Sequence, residues 1–231
     1  MQETLHSART VILADGDFPR RPEPLAILAA ARRVVCCDGA AAQAESRGIE
    51  PAAVVGDGDS IPPALRERLG ARWIRDPGQE DNDLSKAFRY FLARRWRRLA
   101  ILGATGRRED HTLANLSLLA DFCRRADVVL ATDSGLFTAH TEAVTLASSR
   151  GQQVSIFSFD PGLAITSQGL KYPLRNLRLS RWWQAALNEA EGNAFTLSFS
   201  GGVVLVYRTW IPLTTRRECA GRRRAAGGRK G

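Results

Sequence analysis

The sequence has little lysine and no long apolar run. Three of its 33 Lys and Arg residues are lysines, namely Lys86, Lys171 and Lys230. Because Lys is a compact charge on a flexible stem and Arg a planar fork, the retention of Lys86 and Lys171 inside polar motifs hints at a steric or chemical requirement there. No apolar run approaches the about 18 residues that a membrane-spanning helix needs. We therefore expect no association with a membrane.

The chain also lacks the usual marks of secretion and of a cysteine-based metal site. Its first residues show no basic segment followed by an apolar stretch, so we expect no signal peptide. No CxxC spacing occurs among the four cysteines, which are Cys36, Cys37, Cys123 and Cys219. The absence of this spacing argues against a zinc or redox site. Buried, reduced thiols in a cytoplasmic protein are the expectation.

Positive charge is abundant but unevenly distributed. The formal net charge is +9, of which residues 216–230 contribute seven basic side chains against Glu218. This segment has no apolar periodicity, so residues 213–231 are expected to form a basic, disordered tail. The rest of the chain is only weakly basic. A basic RNA-binding protein is therefore a rival hypothesis that the charge distribution does not favour.

Short β-branched runs alternate with helix-like stretches from Arg9 to about Asp133, which is typical of βα units and a largely parallel sheet. After Asp133 the pattern changes to short strands separated by glycine-containing turns. We predict an α/β fold, with an open, largely parallel sheet and flanking helices followed by a small antiparallel β-sandwich. The expected domains are residues 1–136 and 137–212, followed by the tail.

The segment Gly56-Asp57-Gly58-Asp59-Ser60 follows an apolar, strand-like run. Two carboxylates at this spacing point the same way and suit a hard cation such as Mg²⁺ carrying a polyphosphate. The alternative is a turn in which Asp59 or Ser60 caps the next helix. That role needs only one such residue and leaves the acidic pair unexplained.

Further polar side chains occupy equivalent places along the chain. Ligands of an open parallel sheet bind beyond the carboxyl ends of its strands, where Asp38, Asp57 and Asp59 should converge. The chain has no Walker or GxGxxG motif. The loop from Gly103 to Arg108 could instead hold phosphate oxygens through its backbone N–H groups and Arg108. Additional candidates are Gln79, Asp83, Lys86, Asp110 and His111.

Two of these candidates have competing structural explanations. Asp83 precedes the apolar stripe that begins at Leu84 and is an obvious N-cap for that helix. His111 near a helix start is more often a structural, hydrogen-bonded residue than a general base. In the second half, Thr166–Leu174 and Asn188-Glu189 suit either a flat organic ligand or ordinary turns.

These motifs together resemble the thiamine pyrophosphokinase (thiamine diphosphokinase) family from about Val11 to Tyr207. The family's Asp-Gly-Gly/Ala, Gly-Asp-x-Asp-Ser and Gln-x-x-x-Asp-x-x-Lys patterns are similar to segments beginning at Asp38, Gly56 and Gln79. Its Gly-Ala-x-Gly-Gly-Arg-x-Asp-His pattern resembles residues 103–111, and its Thr-Ser-x-Gly-Leu-Lys-Tyr/Trp-x-Leu pattern resembles residues 166–174. The segment Trp182-Trp183-Gln184 looks most similar to a Bacteroidetes-like branch.

The chain departs from the family pattern at a few positions. Arg107 replaces a glycine, Glu109 an apolar residue and Leu187 a serine. Arg tolerates a positive φ poorly, so the first departure bears on the geometry of the loop. The third removes a hydroxyl that could contact a substrate.

The resemblance implies a homodimer that binds thiamine at its interface and transfers pyrophosphate from ATP to the thiamine hydroxyl, releasing AMP. It implies that Mg²⁺ is held by Asp57, Asp59 and Asp83, with Asp38 and Asp110 near the metal or the attacking hydroxyl. ATP phosphates would contact Gln79, Lys86 and Arg108. The implied thiamine contacts are Ser167, Gly169, Leu170, Tyr172 and Asn188. The closest alternative is a Mg²⁺-dependent pyrophosphokinase that acts on a pterin alcohol.

Overall fold

The computed structural model describes residues 9–210. The predicted tail and Cys219 lie outside the described residues. Within the described range, no helix is long and apolar enough to cross a membrane.

A ten-stranded sheet forms the centre of the molecule. Six neighbouring strands are parallel and follow the order β4-β3-β2-β1-β5-β6. Their bounds are β1 Thr10–Leu13, β2 Arg33–Cys37, β3 Ala53–Gly56, β4 Trp73–Arg75, β5 Arg98–Leu102 and β6 Asp127–Ala131. These short runs are largely buried, as parallel strands covered on both faces should be.

Five helices connect these strands within the described part of the chain. They are α1 Pro22–Ala29, α2 Ala40–Glu45, α3 Pro63–Leu69, α4 Asp83–Ala93 and α5 Glu109–Phe122. Residues from α1, α2 and α3 join the core on one face of the sheet, and residues from α4 and α5 join the core on the other. The connections place helices on both faces, so the polar loops that follow the strands meet at one edge.

The same sheet continues through antiparallel strands. β7 (Gly135–His140) pairs with β6, and the order then runs β14 (Val204–Thr209), β9 (Gln153–Ser158) and β12 (Asn188–Glu189). A second, four-stranded sheet packs against this half. Its order is β11 (Leu177–Arg178), β10 (Ala164–Gln168), β13 (Ala194–Ser198) and β8 (Val144–Ala147).

The predicted fold class is confirmed, since a largely parallel sheet with flanking helices is followed by antiparallel strands. The sequence analysis did not anticipate that one layer of the antiparallel part continues the parallel sheet. The strand responsible is β7, which pairs with β6 on one side and with β14 on the other. The predicted domain boundary between residues 136 and 137 falls within β7, and the sheet continues through it without interruption. The division into these two domains remains a prediction.

Candidate active site

A cleft of about 410 Å³ lies at the carboxyl ends of β1, β2, β3 and β5. It contains several of the predicted side chains, namely Asp57, Gln79, Asp83, Lys86, Arg108 and His111. It also contains Asp81 and Asn82 of the acidic segment 79–83, and two residues that the sequence analysis did not single out, namely Asp15 and Asn115. The convergence follows from the topology, because parallel strands deliver their following loops to one edge of the sheet.

The loop after β3 is held in a fixed shape that directs Asp57 into the cleft. Asp57 Oδ1 accepts a hydrogen bond from the Asp59 backbone N–H at 3.1 Å. Gly58 has φ +93°, and a Cβ there would lie 2.9 Å from the Trp73 ring. Arg66 stacks over the same ring and donates to Gly58 O. Glycine is therefore required at this turn for both its backbone angle and the space it leaves.

The ammonium group of Lys86 lies between two carboxylates. Its Nζ is 3.2 Å from Asp83 Oδ1 and 3.5 Å from Asp57 Oδ2, and the side chain is 2% exposed. Burial disfavours the charged amine, but the hydrogen bond and charge of Asp83, with the charge of Asp57, outweigh it and raise the pKa of Lys86. Lys86 is therefore charged and positioned at neutral pH.

The two carboxylates beside Lys86 differ in their protonation behaviour. The pKa of Asp57 is lowered, first by the hydrogen bond from the Asp59 backbone, and further by Lys86 and Gln79. The pKa of Asp83 is raised, because burial outweighs the stabilising contact with Lys86. Gln79 Nε2 donates to Asp57 Oδ2 at 3.3 Å, which brings another predicted residue into direct contact with this pair.

Asp83 is not the N-cap of its helix, in contrast to the alternative drawn from the sequence. Asn82 has the extended backbone of a cap, and its side-chain oxygen accepts from the Ser85 N–H at 2.9 Å. Asp83 is the first residue inside the helix, where the helix dipole still stabilises a negative charge. Because Asn82 performs the capping, the Asp83 carboxylate remains available to the cleft.

Asp38 lies beneath the cleft and is 1% exposed. Its Oδ2 accepts from the Ser60 backbone N–H at 2.9 Å, whereas the buried Oδ1 has no hydrogen-bond partner among the described residues. Burial raises the pKa of this carboxyl, against the effect of the bond from Ser60. An unsatisfied buried oxygen with raised basicity is a feature of functional sites rather than of stable packing.

In the loop after β5, Arg107 adopts the left-handed backbone conformation that glycine usually adopts. Arg107 has φ +58°, and its Nη1 contacts Asp15 Oδ2 at 2.9 Å. Asp15 follows β1 and also accepts from Gln43 Nε2 at 2.9 Å. The sequence analysis missed Asp15, although it follows its strand as Asp38 follows the next one.

Arg108 and Asp110 pair with each other at the mouth of the cleft. Arg108 donates to Asp110 from Nε at 3.1 Å and from Nη2 at 2.5 Å, and both side chains are well exposed. The hydrogen bond from Arg108 lowers the pKa of Asp110. Of this pair, only Arg108 lines the cleft.

The structure does not bring all the predicted metal ligands together. The side chain of Asp59 is exposed and is absent from the cleft lining. Among residues 9–210, no group of three or more His, Cys, Asp or Glu side chains is arranged to hold a metal ion.

The residues nevertheless fit Mg²⁺ in their donor chemistry. This ion is usually bound through one or two carboxylates together with substrate phosphates and water. Asp57 and Asp83 supply two carboxylates at the cleft, and the unpartnered Asp38 Oδ1 lies close to the same loop.

The predicted thiamine contacts cluster on the antiparallel half, around the loop from Gly169 to Leu174. Asn188 is 3% exposed and holds this loop, because its Oδ1 accepts from the Tyr172 N–H and its Nδ2 donates to Tyr172 O. Ser167, also buried, accepts from the Leu174 N–H at 2.8 Å. Both side chains therefore shape the loop.

Of the other predicted thiamine contacts, Leu170 and Gly169 support the loop, and Tyr172 is exposed on it. Leu170 is buried in the sandwich core, and Gly169 has φ +78° with the Ala194 carbonyl 2.8 Å from where a Cβ would lie. Tyr172, in contrast, is 60% exposed. The loop thus presents an aromatic ring on a rigid base.

Two family models match consecutive parts of the sequence. The model of the thiamin pyrophosphokinase catalytic domain matches residues 25–130, and the model of its substrate-binding domain matches residues 135–207. Together they cover well over half of the chain. The chain belongs to the thiamin pyrophosphokinase family.

Solved structures of thiamin pyrophosphokinases share this fold. The protein from Bacillus subtilis matches with a TM-score of 0.72 and 22% identity, over 87% of this chain and 98% of that one. The protein from Candida albicans matches with a TM-score of 0.72 and 17% identity, over 90% and 91% of the two chains. No curated protein matches the sequence significantly.

Proposed function

We propose that the protein transfers pyrophosphate from ATP to the hydroxyl of thiamine, giving thiamine diphosphate and AMP. Membership of the thiamin pyrophosphokinase family supports this reaction. In the structure, the proposal rests on the buried Lys86 ammonium between Asp57 and Asp83 at the carboxyl edge of the sheet. Such a charged, enclosed group suits a polyphosphate substrate better than a neutral one.

The cleft residues divide into groups that hold phosphate and groups that hold a cation. Lys86, Gln79 and Arg108 would contact phosphate oxygens, and Asp57, Asp59 and Asp83 would hold Mg²⁺. When bound, Mg²⁺ neutralises phosphate charge. Phosphoryl transfer depends mainly on such neutralisation and on alignment of the nucleophile.

Asp38 and Asp110 are proposed to lie near the reacting hydroxyl. Of the two, Asp38 is better suited to receive its proton, because burial raises its pKa and Oδ1 has no partner in the described structure. Asp110 is exposed and paired with Arg108, so it would act by orienting that guanidinium. Asp38 would thus act on the hydroxyl itself, whereas Asp110 would act through Arg108.

Tyr172 would stack on the cationic ring system of thiamine, a contact worth about 0.5–2 kcal/mol.

We propose that a second copy of the chain completes this site. Support comes from the exposed fractions of Trp182, Trp183 and Leu187, which are 49%, 72% and 79%. Exposed apolar side chains of this size favour an interface. Sedimentation of the purified protein at several concentrations tests for the dimer.

The reaction is tested by incubating the purified protein with ATP, Mg²⁺ and thiamine and separating the products by chromatography. The expected result is AMP and thiamine diphosphate in equal amounts, with no product when Mg²⁺ is chelated. Formation of AMP from ATP only when a pterin alcohol replaces thiamine would instead identify the alternative acceptor. A folded protein that forms neither product contradicts the proposal.

A further inference from the structure

A second cavity, of about 350 Å³, lies away from the cleft. It is bordered by β6, β7, β8 and β14 and by the residue after α5, Cys123. The residues of β6 that line it, Asp127–Val129, form the amino end of that strand. Because β6 is parallel to β5, this end faces the opposite edge of the sheet from the cleft. The two cavities have no lining residue in common.

The cavity contains a buried cation without an acidic partner in the described structure. Arg208 is 2% exposed and donates from Nη1 to the Ala147 carbonyl at 3.0 Å. Its Nε is buried and has no hydrogen-bond partner among residues 9–210. Burial lowers the pKa of Arg208 to about 10, so the guanidinium remains charged at neutral pH. A buried charge of this kind is costly unless an anion accompanies it.

Hydrogen-bonding groups lie on the same face as Arg208. The register pairs Leu136 with Arg208, Thr138 with Val206 and His140 with Val204, so these side chains point to one side of the sheet. Thr138 Oγ1 and His140 Nε2 are 2.9 Å apart. Burial, and then the charge of Arg208, lowers the pKa of His140 to about 4, which leaves the imidazole neutral at pH 7. The remaining titratable groups of the lining are Cys123 and Asp127.

The rest of the lining is mostly apolar and includes Val129, Leu136 and Leu146. A cavity of more than about 300 Å³ that combines apolar side chains with a few polar groups is typical of small-molecule sites. Inorganic ions alone leave such walls uncovered.

We propose that this cavity binds a small organic anion, with its carboxylate or phosphate group at the Arg208 guanidinium and Thr138 and its apolar part against Leu136 and Leu146. Such an anion supplies the counter-charge that Arg208 lacks in the described structure. It also covers the apolar walls. The site is separate from the cleft and does not depend on the reaction proposed there.

The test measures binding of butyrate, methyl phosphate and inorganic phosphate to the full chain by calorimetry, without ATP or metal. Wild-type protein is expected to bind an organic anion at one site per chain, and Arg208→Met to bind it at least about tenfold more weakly. The matched control is Arg150→Met, which removes an exposed arginine outside both cavities and should bind normally. Arg108→Met removes a cleft arginine and should also leave binding unchanged.

The choice of probe distinguishes the sources of the anion. Tighter binding of butyrate indicates a carboxylate ligand, and tighter binding of methyl phosphate indicates a phosphate ester. Either result supports the site. Binding that is lost in Arg108→Met but kept in Arg208→Met overturns it, as does the absence of binding by both organic anions.

A second measurement keeps the proposal testable if Arg208→Met does not fold. The His140 ring resonances of the wild-type protein, assigned with His140→Gln, are followed by NMR during the butyrate titration. The expected result is a saturable shift of these resonances and a rise of the His140 pKa above about 4, because a bound anion offsets the charge of Arg208. Unchanged resonances at saturating butyrate contradict the proposal.

Discussion

The Lys86 ammonium lies 3.2 Å from Asp83 Oδ1, one helical turn earlier on α4, and is almost completely buried. A helix with an apolar stripe at Leu84, Ala87, Phe88 and Phe91 thus buries a charged residue as well. The charge is tolerated because two carboxylates surround it. The protonation state of the cleft is therefore linked to the stability of the fold.

We expect Lys86→Met to lower the free energy of unfolding by about 1–3 kcal/mol at pH 8, since both carboxylates are partly exposed and screened. Burial already raises the pKa of Asp83, and loss of the ammonium raises it further. An acid with a raised folded-state pKa favours the folded state as pH falls through that pKa. The destabilisation should therefore be smaller at pH 5 than at pH 8 in urea titrations.

The matched control for this effect is Lys171→Met. Lys171 lies 3.4 Å from Glu189 but is 50% exposed, so its removal should change stability by less than about 0.5 kcal/mol at either pH. A cost of Lys86→Met that is equal at both pH values would show that packing, not charge, dominates.

The two aspartates of the loop after β3 are expected to differ in importance. Asp57→Asn should reduce turnover at least about 100-fold while the fold is retained, because Asp57 contacts both Lys86 and Gln79 in the cleft. Asp59→Asn should reduce it less, since its exposed side chain is absent from the cleft lining. Initial rates across a Mg²⁺ titration, with circular dichroism to check folding, provide the measurement. Normal turnover by Asp57→Asn would remove Asp57 from the metal site.

The strand ends could be predicted from sequence because polar residues directly follow short β-branched runs, as at Asp38 and Asp57. Contacts that depend on tertiary packing could not. Whether Asn82 or Asp83 caps the helix depends on backbone angles. The burial of Lys86 depends on the position of α4 against the sheet. Likewise, no local pattern indicates that the Asn188 side chain would satisfy both backbone groups of Tyr172.

Tyr172→Ala should mainly raise the KM for thiamine, by roughly tenfold, and leave the KM for ATP unchanged. The exposed ring can stack on a cation, whereas its backbone is held by Asn188 independently of the side chain. Tyr172→Phe keeps the ring and should retain a KM close to wild type. Steady-state kinetics with each substrate varied in turn separate the two effects, and a change confined to ATP would count against the assignment.

Arg107 allows backbone strain to be separated from ligand binding, because Arg95 has the same φ of +58° far from the cleft. A left-handed conformation costs a non-glycine residue about 1 kcal/mol or more, so Arg95→Gly should raise the free energy of unfolding by about that amount. Arg107→Gly should gain less, since it also loses the half-exposed contact with Asp15. Of the two variants, only Arg107→Gly should raise the KM for ATP, because Arg107 lines the cleft and Arg95 does not. Denaturant titration and ATP kinetics on both variants test this, and an equal change in KM would indicate that Arg107 does not contact the nucleotide.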